Sequence, residues 1–434
     1  MHLRTPALLL TALASQVSAR LWPQTSPNLD APQVFQTTDQ LPLANPGHIT
    51  AHDPNVLKHG DHYYLFKGGW GVSILKSKDM SGPWEEVGRV LDDDSVIEKG
   101  NRSWPWAPTT IEKNGLFYCY YAVSQQGSRN SAVGVATTTD INRSGWHDHG
   151  ALINTGFGDH ADAYPFTVTN AIDPAFITDE HNKSYLIYGS FWDGIWKLPL
   201  SDDLLSIKNP SEPEAVQLVY LPDLELKPIE GAWMSYRDGY YYTWFSHGEC
   251  CDLEKQFPNA GQEYSIRVGR SKSVNGPFVD RDNIGLLDGG GTIVYGSNHG
   301  IVYAPGGLGV VSGHGSKRDI LYYHYLNTTI GFEFEKAHLG WNALEYEDGW
   351  PVVVDGVNLE PTTSSPDPNG AASATIITST STSTGTSSSS SAGAGSGTTS
   401  SPSPSASYSA GSIIGLPGWS RTMILMGSWL YMWT

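Results

Sequence analysis

One pattern recurs five times along this chain: a turn with Gly, Asn or Asp leads directly into a strand rich in aromatic residues. The copies lie roughly 50 to 80 residues apart, a spacing that fits sheets repeated around an axis. No stretch has the periodicity of a long amphipathic helix. The pattern predicts an all-β fold, and five copies favour a five-bladed β-propeller, with a two-sheet sandwich as the alternative. The copies are residues 60–66, 114–120, 182–188, 238–244 and 318–324.

Composition changes abruptly near the end of the chain and limits the folded part. No charged residue stands between Asp367 and Arg421, and residues 378–409 are almost entirely Ser, Thr, Gly, Ala and Pro. Such a segment cannot bury enough apolar area to offset the entropy of ordering it. We therefore expect a disordered Ser/Thr-rich stalk over 359–411, preceded by one folded domain over 20–358.

Both ends of the chain resemble targeting signals. Residues 1–19 hold a basic residue, a short apolar run and a terminal Ala19, which is the pattern of a signal peptide. Residues 412–434 end in an apolar stretch too short to span a bilayer as a helix, and with the small residues before it this tail resembles a GPI-anchor signal. We expect a secreted, extracellular protein anchored to the plasma membrane or cell wall, with an unanchored secreted form as the alternative.

Four Asn-x-Ser/Thr sequons agree with secretion and are candidate glycosylation sites: Asn101, Asn142, Asn182 and Asn327. The three cysteines allow at most one disulfide. Either Cys250 and Cys251 bridge each other or one of them pairs with Cys119, and the sequence leaves both pairings open.

The charge balance argues against polyanionic partners. With a formal net charge of −18 the chain lacks the basic patches that nucleic acids require. Its 15 Trp and 22 Tyr supply flat faces on which sugar rings stack, although most aromatic residues of an all-β protein belong to its core. We expect a monomer that needs no cofactor.

An Asp-Pro pair precedes the first and the third repeat, at Asp53-Pro54 and Asp173-Pro174. Proline fixes φ and removes a hydrogen-bond donor, so each pair holds its carboxylate at the start of a strand. The innermost strands of a propeller line its axis, and two equivalent Asp residues are therefore predicted to meet in one pocket. One such pair alone is better explained as a turn that starts a strand.

A third carboxyl group, Glu230, precedes the fourth repeat between Ile229 and Gly231. Desolvation among apolar neighbours raises the pKa of a carboxyl group, as a general acid requires. Hydrolysis of a glycosidic bond needs such an acid for the leaving oxygen and a second carboxylate as base or nucleophile. The alternative is a strand-edge Glu that points to water.

These positions stand in an ordered set of segments that resembles glycoside hydrolase family 43, and within it the fungal endo-1,5-α-L-arabinanases. The resemblance runs from about His48 to Val353. Besides the carboxyl residues it rests on Trp-Ala-Pro at 106–108, Ala-Ile-Asp-Pro at 171–174, Gly-Ser-Phe-Trp-Asp-Gly-Ile-Trp at 189–196, Cys-Cys at 250–251 and Gly-Gly-Gly-Thr at 289–292.

The resemblance implies a role for each site residue. Asp53 matches the general base that activates water, Glu230 the general acid, and Asp173 the carboxylate that raises the pKa of the acid and orients it. Trp106 and His52, in the matched segments, are the expected substrate-binding residues. The activity that the resemblance implies is inverting hydrolysis of internal bonds in arabinan, which makes arabinan the expected partner.

One departure from the family concerns a metal. Many bacterial arabinanases carry a Gly-Pro-Gly-His segment whose His holds a metal-water cluster, and a gapless alignment puts Gly307 at that place. His299 and His324 are alternative ligands, but a single His does not define a metal site. We therefore expect no metal.

Two other functions stay open. An exo-acting arabinofuranosidase or β-xylosidase of the same family needs a loop that closes one end of the cleft, and the sequence does not show which loops close. A non-catalytic, wall-anchored carbohydrate-binding propeller would be marked by the loss of a carboxyl group, and all three are present.

Overall fold

The computed structural model describes residues 40–354, except residues 44, 46 and 314–317. The predicted signal peptide, stalk and tail lie outside the described residues and stay predictions. Within the described part no helix is long and apolar enough to cross a membrane. This part consists of strands and of two short 3₁₀ helices, Leu286–Asp288 and Phe334–Lys336.

The strands form five antiparallel sheets of four, and each sheet is built from four strands that are consecutive in sequence. Every strand therefore pairs with its neighbours in the chain, and short connections suffice within a sheet. The sheets are β1 (Asn55–His59), β2 (His62–Lys67), β3 (Ser73–Ser77) and β4 (Glu85–Arg89); β5 (Trp106–Lys113), β6 (Leu116–Val123), β7 (Ala132–Thr138) and β8 (His147–Asn154); β9 (Ala175–Thr178), β10 (Ser184–Tyr188), β11 (Ile195–Pro199) and β12 (Val216–Val219); β13 (Ile229–Arg237), β14 (Tyr240–His247), β15 (Ser265–Ser271) and β16 (Thr292–Tyr295); and β17 (Val302–Val311), β18 (Asp319–Asn327), β19 (His338–Glu347) and β20 (Trp350–Val354).

The five sheets are the blades of a closed propeller. The first strands of the blades contact one another in cyclic order, and the first strand of blade 5 contacts that of blade 1. These strands line a common axis, so the residues at their ends meet there. The predicted all-β fold with five blades is confirmed, and the two-sheet sandwich is excluded.

The aromatic repeats found in the sequence contain the second strands of the blades, β2, β6, β10, β14 and β18. Nearly all of their side chains are buried, because both faces of each blade pack against a neighbouring blade. Between blades 1 and 2, for example, Phe66 and Tyr121 belong to one apolar cluster, and Trp244 and Tyr323 share another between blades 4 and 5. This packing explains why the signal in these strands is a run of large side chains rather than an alternation.

The N-terminal segment, of which residues 40–43, 45 and 47–51 are described, completes the ring by running along β19 of the last blade. Ala51 N donates to Ala337 O, and Leu339 N donates to Ile49 O, each at 2.9 Å. β20 covers only the other half of β19. The segment leads directly into β1, so blade 5 is joined to blade 1 by backbone hydrogen bonds.

One face of the ring gathers the parts that build the site. The first strand of each blade begins at this face, and the antiparallel second strand ends there. The loops between second and third strands therefore lie on the same face as the starts of the first strands. The tight turns between first and second strands lie on the opposite face.

Candidate active site

A left-handed residue recurs near the start of the first strand in every blade. The five residues have φ between 42° and 57° and are Asp53, Ala107, Asp173, Gly231 and Ala304. In four blades a proline follows, at positions 54, 108, 174 and 305. A non-glycine residue with positive φ is uncommon, and a following proline restricts it further, so the surrounding fold must hold this conformation.

This repeated kink directs side chains from all blades toward the axis. Asp53 and Asp173 occupy the left-handed position itself, and Glu230 comes one residue earlier in its blade. A cavity of about 30 Å³ at the axis is lined by residues from every blade, including Asp53, Ala107, Asp173, Ala232 and Gly307. Asp173 Oδ2 accepts the backbone N–H of the residue after Glu230, at 2.9 Å. The structure thus brings the three predicted carboxyl groups together.

Two imidazole rings contact Asp53. His52 Nδ1 lies 3.0 Å from Asp53 Oδ2, and since a carboxylate only accepts hydrogen bonds, this nitrogen carries the hydrogen. The backbone N–H of Asp53 donates to His324 Nδ1 at 3.1 Å, which requires a neutral His324 with its hydrogen on Nε2. Burial lowers the pKa of His324 to about 4, which agrees with a neutral ring.

The surroundings of Asp53 favour the ionised carboxylate. Burial alone would raise its pKa, but the neighbouring His52 and the hydrogen bonds of the site outweigh burial and hold the pKa below its ordinary value. The side chain keeps 26% of its surface exposed, so that a water molecule can reach it. Asp53 therefore has the charge and the access that a general base needs.

Glu230 is held by two hydroxyl groups inside the protein. Ser190 Oγ donates to Glu230 Oε2 at 2.7 Å, and Tyr264 Oη donates to Oε1 at 3.1 Å. Burial raises the pKa of Glu230, and the negative charge of Asp53 adds to this effect, although the two hydroxyl donors oppose it. The result is a fixed carboxyl group that keeps its proton at a higher pH than an exposed Glu.

Asp173 lies against Glu230 and is equally buried. Burial raises the pKa of Asp173, and repulsion from Glu230 and from Asp53 raises it further. The repulsion is mutual, since two neighbouring carboxylates are not both easily ionised in a buried site. The pair therefore favours a shared proton, and the hydrogen bond from Gly231 N to Asp173 fixes the backbone beside Glu230.

The two Nδ1 atoms beside Asp53 are engaged in hydrogen bonds, and Gly307 has no room for a ligating side chain. His52, Asp53 and His324 present ligand atoms within 4.8 Å of one another. His52 Nδ1 donates its hydrogen to Asp53, and the lone pair of His324 Nδ1 accepts the Asp53 N–H. Neither Nδ1 atom is therefore free to bind a cation. A side chain at Gly307 would also collide, because a Cβ there would lie 2.1 Å from Asp53 Oδ1 and 2.6 Å from His324 Nδ1. His299 is exposed in the loop before β17.

The other predicted site residues have the following places. Trp106 is half-buried and begins the first strand of blade 2, at the position that His52 holds in blade 1. His52 contacts the base, and its ring stacks on two other rings, of His324 and Phe334. The substrate-binding role of Trp106 and His52 stays a prediction.

The disulfide forms between Cys250 and Cys251, and Cys119 is buried and unbridged, which decides between the two pairings left open by the sequence. The sequon residues Asn101, Asn142 and Asn182 are exposed and Asn327 is half-buried. Glycosylation of these residues stays a prediction.

Sequence reasoning missed the residues that support the carboxyl groups. Ser190 lies in the loop after β10, Tyr264 immediately before β15 and His324 in β18, so all three reach the site from outside the first strands. Ser190 belongs to the segment 189–196 that carries the family resemblance, and the sequence offers His324 as an alternative metal ligand, but it does not indicate that either side chain contacts a carboxyl group. The recurring X-Pro pair in four blades was a usable signal for the axial positions, because it marks the same kink each time.

Comparisons with known proteins identify the family of the chain. The sequence profile of Glycosyl hydrolases family 43 matches residues 43–351. A protein of Emericella nidulans described as a probable arabinan endo-1,5-α-L-arabinosidase D is 52% identical over 353 residues, which cover 81% of this chain and 91% of that protein.

Solved structures of the same kind have the same fold. The α-L-arabinanase of Cellvibrio cellulosa, in complex with arabinohexaose, matches with a TM-score of 0.61 and 28% identity over 71% of this chain and 96% of its own. An exo-1,5-α-L-arabinanase from a bovine ruminal metagenomic library matches with a TM-score of 0.60 and 27% identity over 70% and 97%. The chain belongs to glycosyl hydrolases family 43 and is a glycoside hydrolase.

Proposed function

We propose that the protein hydrolyses internal α-1,5-L-arabinofuranosidic bonds of arabinan with inversion at the anomeric carbon, with Asp53 as base and Glu230 as acid. The observation that carries the roles is the contrast between the two carboxyl groups. Asp53 is partly exposed and paired with His52, whereas Glu230 is buried and bound only by hydroxyl donors. The relatives named as arabinan endo-1,5-α-L-arabinosidases support the substrate.

In this mechanism the two carboxyl groups act in one step. Asp53 accepts a proton from a water molecule whose oxygen attacks the anomeric carbon, and Glu230 donates its proton to the leaving glycosidic oxygen. The bond from carbon to the leaving oxygen breaks as the bond to water forms. Exchange with solvent then returns the proton to Glu230 and removes it from Asp53.

Asp173 does not touch the reacting atoms in this scheme. Mutual repulsion between Asp173 and Glu230 favours a proton on the pair, and the hydrogen bond from Gly231 N to Asp173 keeps the backbone of the acid in place. Ser190 and Tyr264 fix the direction of the Glu230 carboxyl group. Such preorganised positioning is worth several orders of magnitude in rate.

The test is the size distribution of products from linear arabinan. Endo action predicts a spread of oligosaccharides at early times, with viscosity falling faster than reducing ends appear. The Glu230→Gln protein, prepared in the same way, controls for contaminating activity.

The exo-acting alternative has a specific observation behind it, because a solved exo-arabinanase shares the fold about as closely as the Cellvibrio enzyme does. Release of arabinose alone from the outset would reject the endo proposal in favour of exo action. Binding of arabinan without any hydrolysis would favour the non-catalytic propeller instead.

A further inference from the structure

Four aromatic rings form a column that passes beside the base. The imidazole of His52 stacks on Phe334 with a centroid distance of 3.9 Å and an interplanar angle of 22°, and on His324 at 4.0 Å and 26°. Two rings at these distances cannot stack on the same face of His52, so its imidazole lies between Phe334 and His324. Below, His324 stacks on Tyr264 at 5.8 Å and 16°, and Tyr264 Oη donates to Glu230.

The outermost ring, Phe334, has no place in the reaction described above. It opens the 3₁₀ helix Phe334–Lys336 in the loop between β18 and β19 and is 45% exposed. A single apolar side chain with one face in water is ordinary on a protein surface. Here the other face covers His52.

Backbone pairing brings the rings of His52 and Phe334 together. The residues just before His52 pair with those just after the 3₁₀ helix, through the hydrogen bond from Ala51 N to Ala337 O and the bridge between Thr50 and His338. The stacking partners therefore come from two segments that are hydrogen-bonded to each other. Their separation is set by the sheet rather than by flexible loops.

Asp53 depends on His52 because its other charged neighbours oppose its ionisation. Glu230 and Asp173 are carboxyl groups of the same sign, and His324 is neutral with its Nδ1 lone pair on the Asp53 N–H. His324 Nδ1 also lies 3.3 Å from Asp53 Oδ1, and both imidazoles lower the pKa of Asp53. Because His324 Nδ1 accepts the Asp53 N–H, however, the side-chain hydrogen directed at the carboxylate comes from His52, at 3.0 Å. The orientation of the His52 ring therefore decides how well the base is held.

We propose that Phe334 is a positioning residue for the base: by stacking on His52 it keeps the Nδ1–H of that ring directed at Asp53 Oδ2. The inference rests on the proposed role of Asp53. It assigns to the loop between β18 and β19 a part in the reaction that no motif indicates.

The test compares Phe334→Leu with Phe334→Tyr and with Ile330→Ala. The Leu variant keeps apolar bulk but removes the flat ring, the Tyr variant keeps the ring, and Ile330 is an exposed apolar residue of the same loop. In Phe334→Leu we expect the acidic limb of the kcat/KM profile to move upward by about half a unit to one unit, since the base loses its donor. The Tyr and Ile330 variants should keep the limb of the unmodified protein.

A double-mutant cycle with His52→Ala shows whether Phe334 acts through His52. If it does, adding Phe334→Leu to His52→Ala changes neither the acidic limb nor kcat further. Additive effects would overturn the proposal. So would a rise in KM with an unmoved acidic limb, which would mark Phe334 as a sugar-stacking surface, or a lower Tm with an unmoved limb, which would mark it as purely structural.

A readout without substrate separates this inference from the proposed function. The ring protons of His52 lie in the ring currents of Phe334, so their NMR shifts should move in Phe334→Leu and stay in Ile330→Ala. Unchanged shifts would overturn the stacking itself. An unmodified protein that fails to cleave arabinan, while these shifts respond, would reject the arabinan proposal and leave the contact established.

Discussion

Asp53 and Glu230 are kept in opposite protonation states by their different neighbours. The imidazole of His52 lowers the pKa of Asp53, whereas burial raises that of Glu230. With the proposed roles of base and acid, a bell-shaped pH profile is expected: activity should fall at low pH as Asp53 takes up a proton, and at high pH as Glu230 loses one.

Substitution of the two carboxyl groups should distinguish base from acid. Asp53→Asn and Glu230→Gln should each lower kcat on arabinan by about 10²–10⁴-fold or more. An aryl arabinoside with a nitrophenol leaving group scarcely needs protonation, so Glu230→Gln should keep much of its rate on it and Asp53→Asn should not. If Asp53→Asn is the variant that the good leaving group rescues, base and acid must be exchanged.

Asp173→Asn should change the pH profile as well as the rate. Burial raises the pKa of Asp173, and repulsion from Glu230 raises it further. Because repulsion between two carboxylates is mutual, removal of the Asp173 charge should lower the pKa of the remaining acid. The basic limb of the profile should therefore move to lower pH, and the acidic limb should not rise. The exposed Asp202→Asn change in the same blade is the control. An upward shift of the basic limb would contradict the role given to Asp173.

At the scale of elements, β17 approaches Asp53 closely, and Gly307 is therefore sensitive to the addition of a side chain. A Cβ there would lie 2.1 Å from Asp53 Oδ1, and φ is +56°. Gly60, at φ +61° in the turn between β1 and β2, has nothing within 4 Å of such a Cβ.

Both Gly→Ala changes should cost stability by about 1–2 kcal/mol through the left-handed backbone. Gly307→Ala should in addition lower kcat by at least roughly 10-fold, because a misplaced catalytic group is costly. Thermal melts and initial rates of the two variants measure the two effects separately. Equal activity of both variants would contradict the tight packing at Asp53.

The elements differ in how far the sequence predicts them. The second strands were recognisable because burial on both faces demands runs of large residues, as in β14 with Tyr242 and Trp244. Asp53 and Asp173 were found through the proline that follows each of them. The contacts of Tyr264 and His324 with the carboxyl groups were not predicted. The packing of blades 4 and 5 brings these side chains to the site, and sequence spacing does not indicate that packing.

At the scale of the whole chain, we propose that the protein is exported and that its C-terminal tail is replaced by a lipid anchor. The signal peptide, stalk and tail lie outside the described residues, and their composition alone supports this proposal. Deletion of everything after Gly411 should release the protein into the medium with its hydrolytic activity intact. Full-length protein in the medium that still carries its apolar C-terminal peptide, by mass spectrometry, would reject the anchor.

The N-terminal segment pairs with the last blade. This pairing also determines when activity can appear during synthesis of the chain. Asn45 Nδ2 bonds to Leu339 O across 294 positions of the chain. Contacts of such high order form late, and the first residues of a nascent chain must wait for the last blade to be translated. This pairing leads directly into His52 and Asp53. A chain cut short before β19 would therefore lack the strand that holds the segment before Asp53, the proposed base. Hydrolytic activity should then appear only when translation of the fifth blade is complete.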